Sequence, residues 1–157
     1  MVSEWDKNPF FKPRMEIIND CVQTLKNAKP GYNPSNVVLP VLIAQIDGII
    51  TDFIKKHDFK FDRSSRKWKS PSGEILGLKS AYKSIETDFD SISEYPNSIL
   101  LDILFQTAYP GDELKKLPSF SRHKIMHGES LDYGKIENVI RAFLILDFLS
   151  YLESEPA

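Results

Sequence analysis

The feature that most constrains this chain is the stretch from Val37 to Ile54. Val37, Val38, Leu39, Val41, Leu42, Ile43, Ile46, Ile49, Ile50, Phe53 and Ile54 leave almost no helical angle polar. A helix that is apolar nearly all round has to be covered nearly all round. The stretch therefore predicts a central helix with the rest of the chain wrapped about it. Ser35 or Asn36 can cap its start, and Pro40 falls in its first turn or so, where a missing N–H costs little. Asp47-Gly48 is the anomaly in the middle. A carboxylate on a buried helix needs a partner. A glycine there costs about 1 kcal/mol against alanine, which points to a close contact at that turn.

The other elements follow from periodicity and punctuation. Residues 1–12 carry Trp5, Phe10 and Phe11 and read as an arm that packs by its aromatics, or as the frayed start of a domain. Pro13 suits the first turn of a helix. Ile17, Ile18, Cys21, Val22 and Leu25 then recur at helical spacing until Lys29-Pro30-Gly31. Residues 57–73 are basic, aromatic and rich in turn formers, which reads as a long loop that can include a short hairpin. His57 is placed to cap the end of the central helix. A weakly patterned helix over Glu74–Phe89 and a linker over 90–96 come next. Ile99, Leu100, Ile103, Leu104, Phe105 and Ala108 form another amphipathic helix, stopped by Tyr109-Pro110-Gly111. The last helix starts at Asp132 or Tyr133 and runs through Ile136, Val139, Ile140, Phe143, Leu144, Leu146, Leu149 and Leu152. No apolar alternation is long enough for a sheet. The expected architecture is all-α: a helical bundle of about five helices, one domain over 13–153, with one long basic and aromatic loop.

Composition narrows the function. At 157 residues and 41% hydrophobic, the chain can bury one real core. Its net charge of −2 excludes a surface that binds nucleic acid by overall charge, so any RNA contact must be local. Cys21 is the one cysteine, which rules out an internal disulfide and suits a small buried apolar group. Met1 to Asp6 show no basic segment leading into an apolar run, so no secretory signal is expected. Asp47 and Asp147 break the apolar runs well short of the ~20 residues that span a bilayer. The expectation is a cytoplasmic protein with no membrane association.

Chemistry concentrates in Leu117-Pro118-Ser119-Phe120-Ser121-Arg122-His123-Lys124-Ile125-Met126-His127-Gly128, which holds two of the chain's three histidines. Pro118 can open a helix and Gly128 can close it. His123 and His127 then share a face. Arg122 and His127 lie about 140° apart around the axis, a gap the long arginine can reach across. Phe120, Ile125 and Met126 supply the buried side. A histidine can act as general base on a ribose 2′-OH or as acid on the leaving 5′-oxygen. An arginine holds the phosphate and stabilises its developing charge. Neither task needs a metal, and no cofactor is expected.

The string Arg122-His123-Lys124-Ile125-Met126-His127-Gly128 resembles the R-x4-6-H motif of the HEPN superfamily, in its R-[NH]-x-x-x-H-G form. The helix over Asn138–Leu149 looks like the one that closes such domains, and Leu39 to Ile49 looks like their long central helix. The resemblance covers roughly residues 13–153. It implies a homodimer that brings two motifs into one cleft and cleaves single-stranded RNA without a metal, leaving a cyclic phosphate. Arg122 and His127 would be catalytic and His123 would shape the site. The setting would be toxin, phage-defence or RNA-processing systems, with an inhibitory protein as a further expected partner. One subgroup of toxins has a tyrosine two residues after the motif histidine. Here that position is Glu129, and Tyr133 lies too far along to replace it.

Plainer readings stand beside these. Arg122 can pair structurally with Asp47 or Asp147, while His127 ties down the helix end. Asp47 can serve instead to orient Arg122 from the central helix. His123 and His127 are spaced as a metal pair, but zinc wants three or four ligands and only Glu129 and Asp132 are near. Arg63, Arg66, Lys67, Trp68 and Lys69 have the make-up of a single-strand RNA contact, or of a solvated loop with one packed Trp. Lys115, Lys116 and Lys124 can draw phosphate to the motif. The expected function is a metal-independent endoribonuclease acting on single-stranded RNA or tRNA. The alternative is a non-catalytic module that binds RNA or a partner protein.

Overall fold

A computed structural model of the chain describes residues 5–85, 94–106 and 118–152. A single 3-10 turn, Lys12–Arg14, holds Pro13 and leads into α1, Met15–Lys26. The apolar stretch is α2, Ser35–Lys56, 22 residues without a break. A three-stranded antiparallel sheet follows: β1 Lys60–Asp62, β2 Lys67–Lys69 and β3 Ile75–Leu76, in that spatial order. Next come the short α3, Leu78–Lys83, and α4, Glu94–Ser98, which runs straight into a wider π-wound segment, Ile99–Leu104. The chain continues in α5, Arg122–Met126, and α6, Ile136–Ser150.

The fold is mostly helical and is built around α2. Val38, Leu39, Leu42, Ile43, Ile46, Ile49, Ile50, Phe53 and Ile54 are all buried, as an all-round apolar helix requires. Its most extensive neighbours are α6 and then α1. Ile18 and Cys21 of α1 and Val139, Ala142, Ile145, Leu146 and Leu149 of α6 join it in one core. A Leu or Ile to Ala change in such a core costs about 2–5 kcal/mol.

Pro40 sits inside α2 and cannot donate to the carbonyl of Asn36. Tyr133 supplies the missing donor: its hydroxyl lies 3.1 Å from the Asn36 oxygen. The neighbouring Gly134 carbonyl accepts from Asn33 Nδ2 at 2.7 Å. A Cβ on Gly134 would run into the Asn36 side-chain carbonyl, so the loop before α6 lies flat on the start of α2. Gly48 also has a concrete neighbour. A Cβ there would come within 2.8 Å of Arg14 Nη2. Arg14 crosses α2 at that gap, bonding the Phe10 carbonyl at 2.7 Å and Asp52 at 2.6 Å. The close contact expected at Gly48 is thus with an arginine side chain.

The N-terminal segment is part of the core, since Trp5, Phe10 and Phe11 are buried. Trp5 Nε1 donates to Asp147 at 3.3 Å. Asn8 Nδ2 reaches the carbonyls of Ser150 at 2.9 Å and Leu152 at 3.2 Å, beyond the last full turn of α6. Carbonyls at a helix end have no partner within the helix, and the arm provides one.

Several expectations need correction. All-α is too strong, because residues 60–76 form a sheet: β1 and β2 are the short hairpin allowed for in the expected loop, and β3 takes the place of the expected helix start. Ile75 and Leu76 pair with Lys69 and Trp68, so the helix expected from Glu74 begins only at Leu78 and ends by Lys83. Strands of three and two residues are too short to show alternation. The helix expected from Ile99 already begins at Glu94, so residues 94–96 are helix and not linker, and its expected end at Ala108 to Gly111 lies outside the described residues. The last helix starts at Ile136 and not at Asp132 or Tyr133, both of which are used in the preceding loop. Asp47 does not interrupt α2, which is long and apolar enough to span a bilayer by length and composition alone, with half its apolar window covered by the fold.

Candidate functional site

The motif segment docks against the middle of α2. Phe120, Ser121 and Ile125 are buried and anchor it. Pro118 does not open the helix, contrary to expectation. Its carbonyl accepts the Ser121 N–H at 3.1 Å to close a turn, and Ser121, in extended backbone, is the residue from which α5 starts. Helical bonding then begins with Ile125 N–H to the Ser121 carbonyl at 3.0 Å. α5 has only five residues. Gly128 does end it, at φ +70°, a left-handed conformation that glycine adopts without the Cβ penalty. Gly128 N–H returns to the Ile125 carbonyl, and Glu129 N–H to the Lys124 carbonyl at 2.8 Å.

Arg122 projects from the first turn of α5 onto Asp47. Its Nε lies 2.6 Å from Asp47 Oδ2, and its Nη2 lies 2.5 Å from the same oxygen. The two residues are far apart in sequence, and the pair ties α5 to the central helix. Asp47 is mostly buried while Arg122 keeps 39% of its side chain exposed. Burial raises the Asp47 carboxyl above its ordinary value, and the Arg122 guanidinium pulls it part of the way back. Asp47 Oδ1 is buried without a hydrogen-bond partner among the described residues. The ion pair therefore offsets desolvation only in part, as is common for buried carboxylates. Asp147, the other acid considered for Arg122, bonds Trp5 instead.

His123 and His127 lie side by side, with ring centroids 4.6 Å apart and planes tilted by 49°. His127 is exposed at the end of α5, and His123 is half-buried with its Nε2 3.8 Å from Glu129. Arg122 directs the bonds given above to Asp47 and not to either imidazole. The expected residues thus form two adjoining units on α5, an Arg122–Asp47 pair and a His123–His127 pair beside Glu129. Lys124 is half-buried on the same short helix. Among the described residues, no group of three His, Cys, Asp or Glu converges to hold a metal.

The remaining site residues separate from this cluster. Lys115 and Lys116 lie outside the described residues. Arg66 and Lys67 are exposed on the β1–β2 hairpin. Trp68 is buried at 5% exposure, which matches the packed tryptophan weighed against an RNA contact and leaves its ring covered. The register explains it, because Trp68 pairs with Phe61 on one side and Leu76 on the other, on the face turned to the core. Glu129 was weighed only as a stand-in for a tyrosine or as a metal ligand. Its place beside His123 comes from the left-handed turn at Gly128, a signal that was present in the sequence. Asn36 and Tyr133, which fix the neighbouring loop, had no such signal.

No family model, curated protein or solved structure matches this chain.

Proposed function

We propose that the protein is a metal-independent endoribonuclease of HEPN type that cleaves single-stranded RNA at the Arg122–His127 segment. The observation that carries this reading is the Arg122–Asp47 pair beside the two touching imidazoles. Asp47 takes the Nε–H bond and lies against Nη2 through the same oxygen, which orients the guanidinium and leaves further N–H donors for an anion. A phosphate held there would sit next to an exposed imidazole. In the step, the ribose 2′-oxygen attacks the adjacent phosphorus and the bond to the 5′-oxygen breaks. His127 takes the 2′ proton while the second copy's histidine or water protonates the departing 5′-oxygen, or the two roles are exchanged. The products are a 2′,3′-cyclic phosphate and a 5′-hydroxyl. Arg122 stabilises the charge that builds on the phosphate oxygens, and His123 orients His127 by ring contact.

One chain supplies one such set, and the reading includes a homodimer. Ile136, Ile140 and Leu144 form an exposed apolar stripe along α6, at i, i+4 and i+8, with Leu131 exposed just ahead of it. Such a face supports association with a second copy. Cleavage of mixed-sequence RNA in EDTA tests the proposal. His127→Ala is expected to lose at least 100-fold in rate with an unchanged melting temperature, given that acid–base catalysis contributes about 10²–10⁴-fold. Undiminished cleavage by that variant would overturn it.

A second reading is favoured by the same pair. If Arg122 serves only to satisfy Asp47, the protein is a non-catalytic module that binds RNA or a protein partner. No cleavage by the wild-type chain, together with a stable complex on RNA, would favour it.

A further inference from the structure

We propose that the outer face of the three-stranded sheet, with the Phe61 ring at its open edge, is a docking surface for a single strand of RNA. The proposal deepens the ribonuclease reading by naming where the substrate strand lies, but binding here does not depend on cleavage.

The surface is defined by register. Lys60 stands directly opposite Lys69, and Asp62 opposite Lys67. Side chains two apart on a strand share a face, so Lys60, Lys67 and Lys69 project together on the side away from Trp68. All three are exposed, as are Arg63 and Arg66 at the hairpin tip. Residues 60–69 thus hold five cations against one carboxylate, a local charge of +4 in a chain whose net charge is −2. Among the described residues none of the five makes an ion pair with a carboxylate. Like charges directly across a ladder repel. The Lys60/Lys69 pairing is therefore unfavourable in the free protein and is relieved by a polyanion.

The cations sit on an ordered turn. Asp62 accepts the Ser64 N–H at 2.9 Å, the Ser64 hydroxyl at 2.8 Å and the Ser65 hydroxyl at 2.7 Å. Arg66 is held in left-handed backbone at φ +55°. A preformed tip loses less freedom on binding than a floppy loop would. The strand choice follows from Phe61. It lies on the edge strand β1, on the Trp68 face and so on the opposite side from the lysines. It packs edge-on against Trp68 at 5.3 Å, and its 50% exposure leaves the ring open at the sheet edge. An aromatic at the edge of a basic face offers stacking to an unpaired base that turns over that edge, which a duplex does not present. The sheet begins four residues past the end of α2, and Asp47 lies nine residues before that end, about 14 Å along the axis. The sheet and the motif thus adjoin the same central helix.

The test uses full-length His127→Ala protein in EDTA and a 5′-fluorescein 20-nucleotide RNA of mixed sequence, read by anisotropy at several salt concentrations. Five phosphate contacts give a log–log salt slope of about −3.5, and two give about −1.4. Lys60→Gln/Lys67→Gln/Lys69→Gln is expected to lower the slope toward the second value and to weaken binding at low salt at least tenfold. Lys12→Gln/Lys26→Gln/Lys29→Gln, with the same change in net charge, is expected to leave both nearly unchanged. Phe61→Ala should weaken binding roughly tenfold. Equal affinity of the sheet triple variant and the control would overturn the proposal. So would binding to phosphatidylserine vesicles or to the matching RNA duplex as tight as to the single strand. Cleavage by the wild-type chain is measured separately. If cleavage is absent but the triple variant loses RNA, the ribonuclease reading fails alone. If cleavage persists and the triple variant binds normally, the sheet proposal fails alone.

Discussion

Asp47 and Tyr82 are the two buried polar side chains whose environments make the sharpest claims. Asp47 has a raised carboxyl, so the folded chain holds a proton there more tightly than the unfolded chain does. The sign follows from linkage: stability from this group falls as pH rises from the ordinary carboxylate value of about 3.9 through the raised folded value. Asp47→Asn should remove that loss. Denaturant melts of both proteins at a series of pH values check it, with the wild type expected to fall relative to the variant across that window. Tyr82, on α3, packs against Phe53 at 5.9 Å, and its hydroxyl has no partner among the described residues. Burial raises its pKa well above the ordinary value. An unpaired buried hydroxyl costs about 1–3 kcal/mol, so Tyr82→Phe should raise the melting temperature. A drop on thermal melting would show that the hydroxyl has a partner. At this scale the sequence was informative wherever a residue broke its own pattern. Asp47 on an apolar helix demanded a partner and found Arg122. Gly48 demanded a close neighbour and found Arg14. Pro40 looked harmless, and nothing in its surroundings pointed to Tyr133 as the donor for the carbonyl it strands.

Among the elements, α2 was legible because an apolar helix of that length has one stable environment. Of the sheet only a short hairpin was, because its strands are too short to carry a period and because Lys, Ser and Gly mask the rest as a loop. Trp68 shows the consequence. A loop reading allowed one packed Trp but could not name its neighbours; in β2 it faces Phe61 and Leu76 and is covered. α5 was expected to be longer because Pro118 is a good first-turn residue. The turn it closes with Ser121 lets the chain reach α2 before the helix starts. The N-terminal arm acts on α6 through Asn8, which is buried and bonded to two carbonyls. Asn8→Ala leaves both without that donor and should cost about 1–3 kcal/mol, read by chemical denaturation. Hydrogen exchange should locate the loss in the last turn of α6, and uniform loosening would argue that Asn8 matters only for packing.

For the molecule as a whole, a central helix carries the candidate site on one flank. Asp47 in its middle holds Arg122 against it, and the sheet begins just past its end. A chain of net charge −2 thus concentrates positive charge in the hairpin and presents exposed imidazole on α5. The motif was readable as a cluster from spacing alone. Its division into an Arg122–Asp47 pair and a His123–His127 pair was not, because spacing gives angles around a helix and not the partner each side chain chooses across the fold. The most direct measurement is the chemistry of the ends produced when the wild-type protein meets mixed-sequence RNA in EDTA. Fragments bearing 2′,3′-cyclic phosphates and 5′-hydroxyls, with RNA carrying 2′-deoxyribose at the cut positions left intact, are the expected result. Fragments with 3′-hydroxyl and 5′-phosphate ends, or no fragments at all, would contradict it.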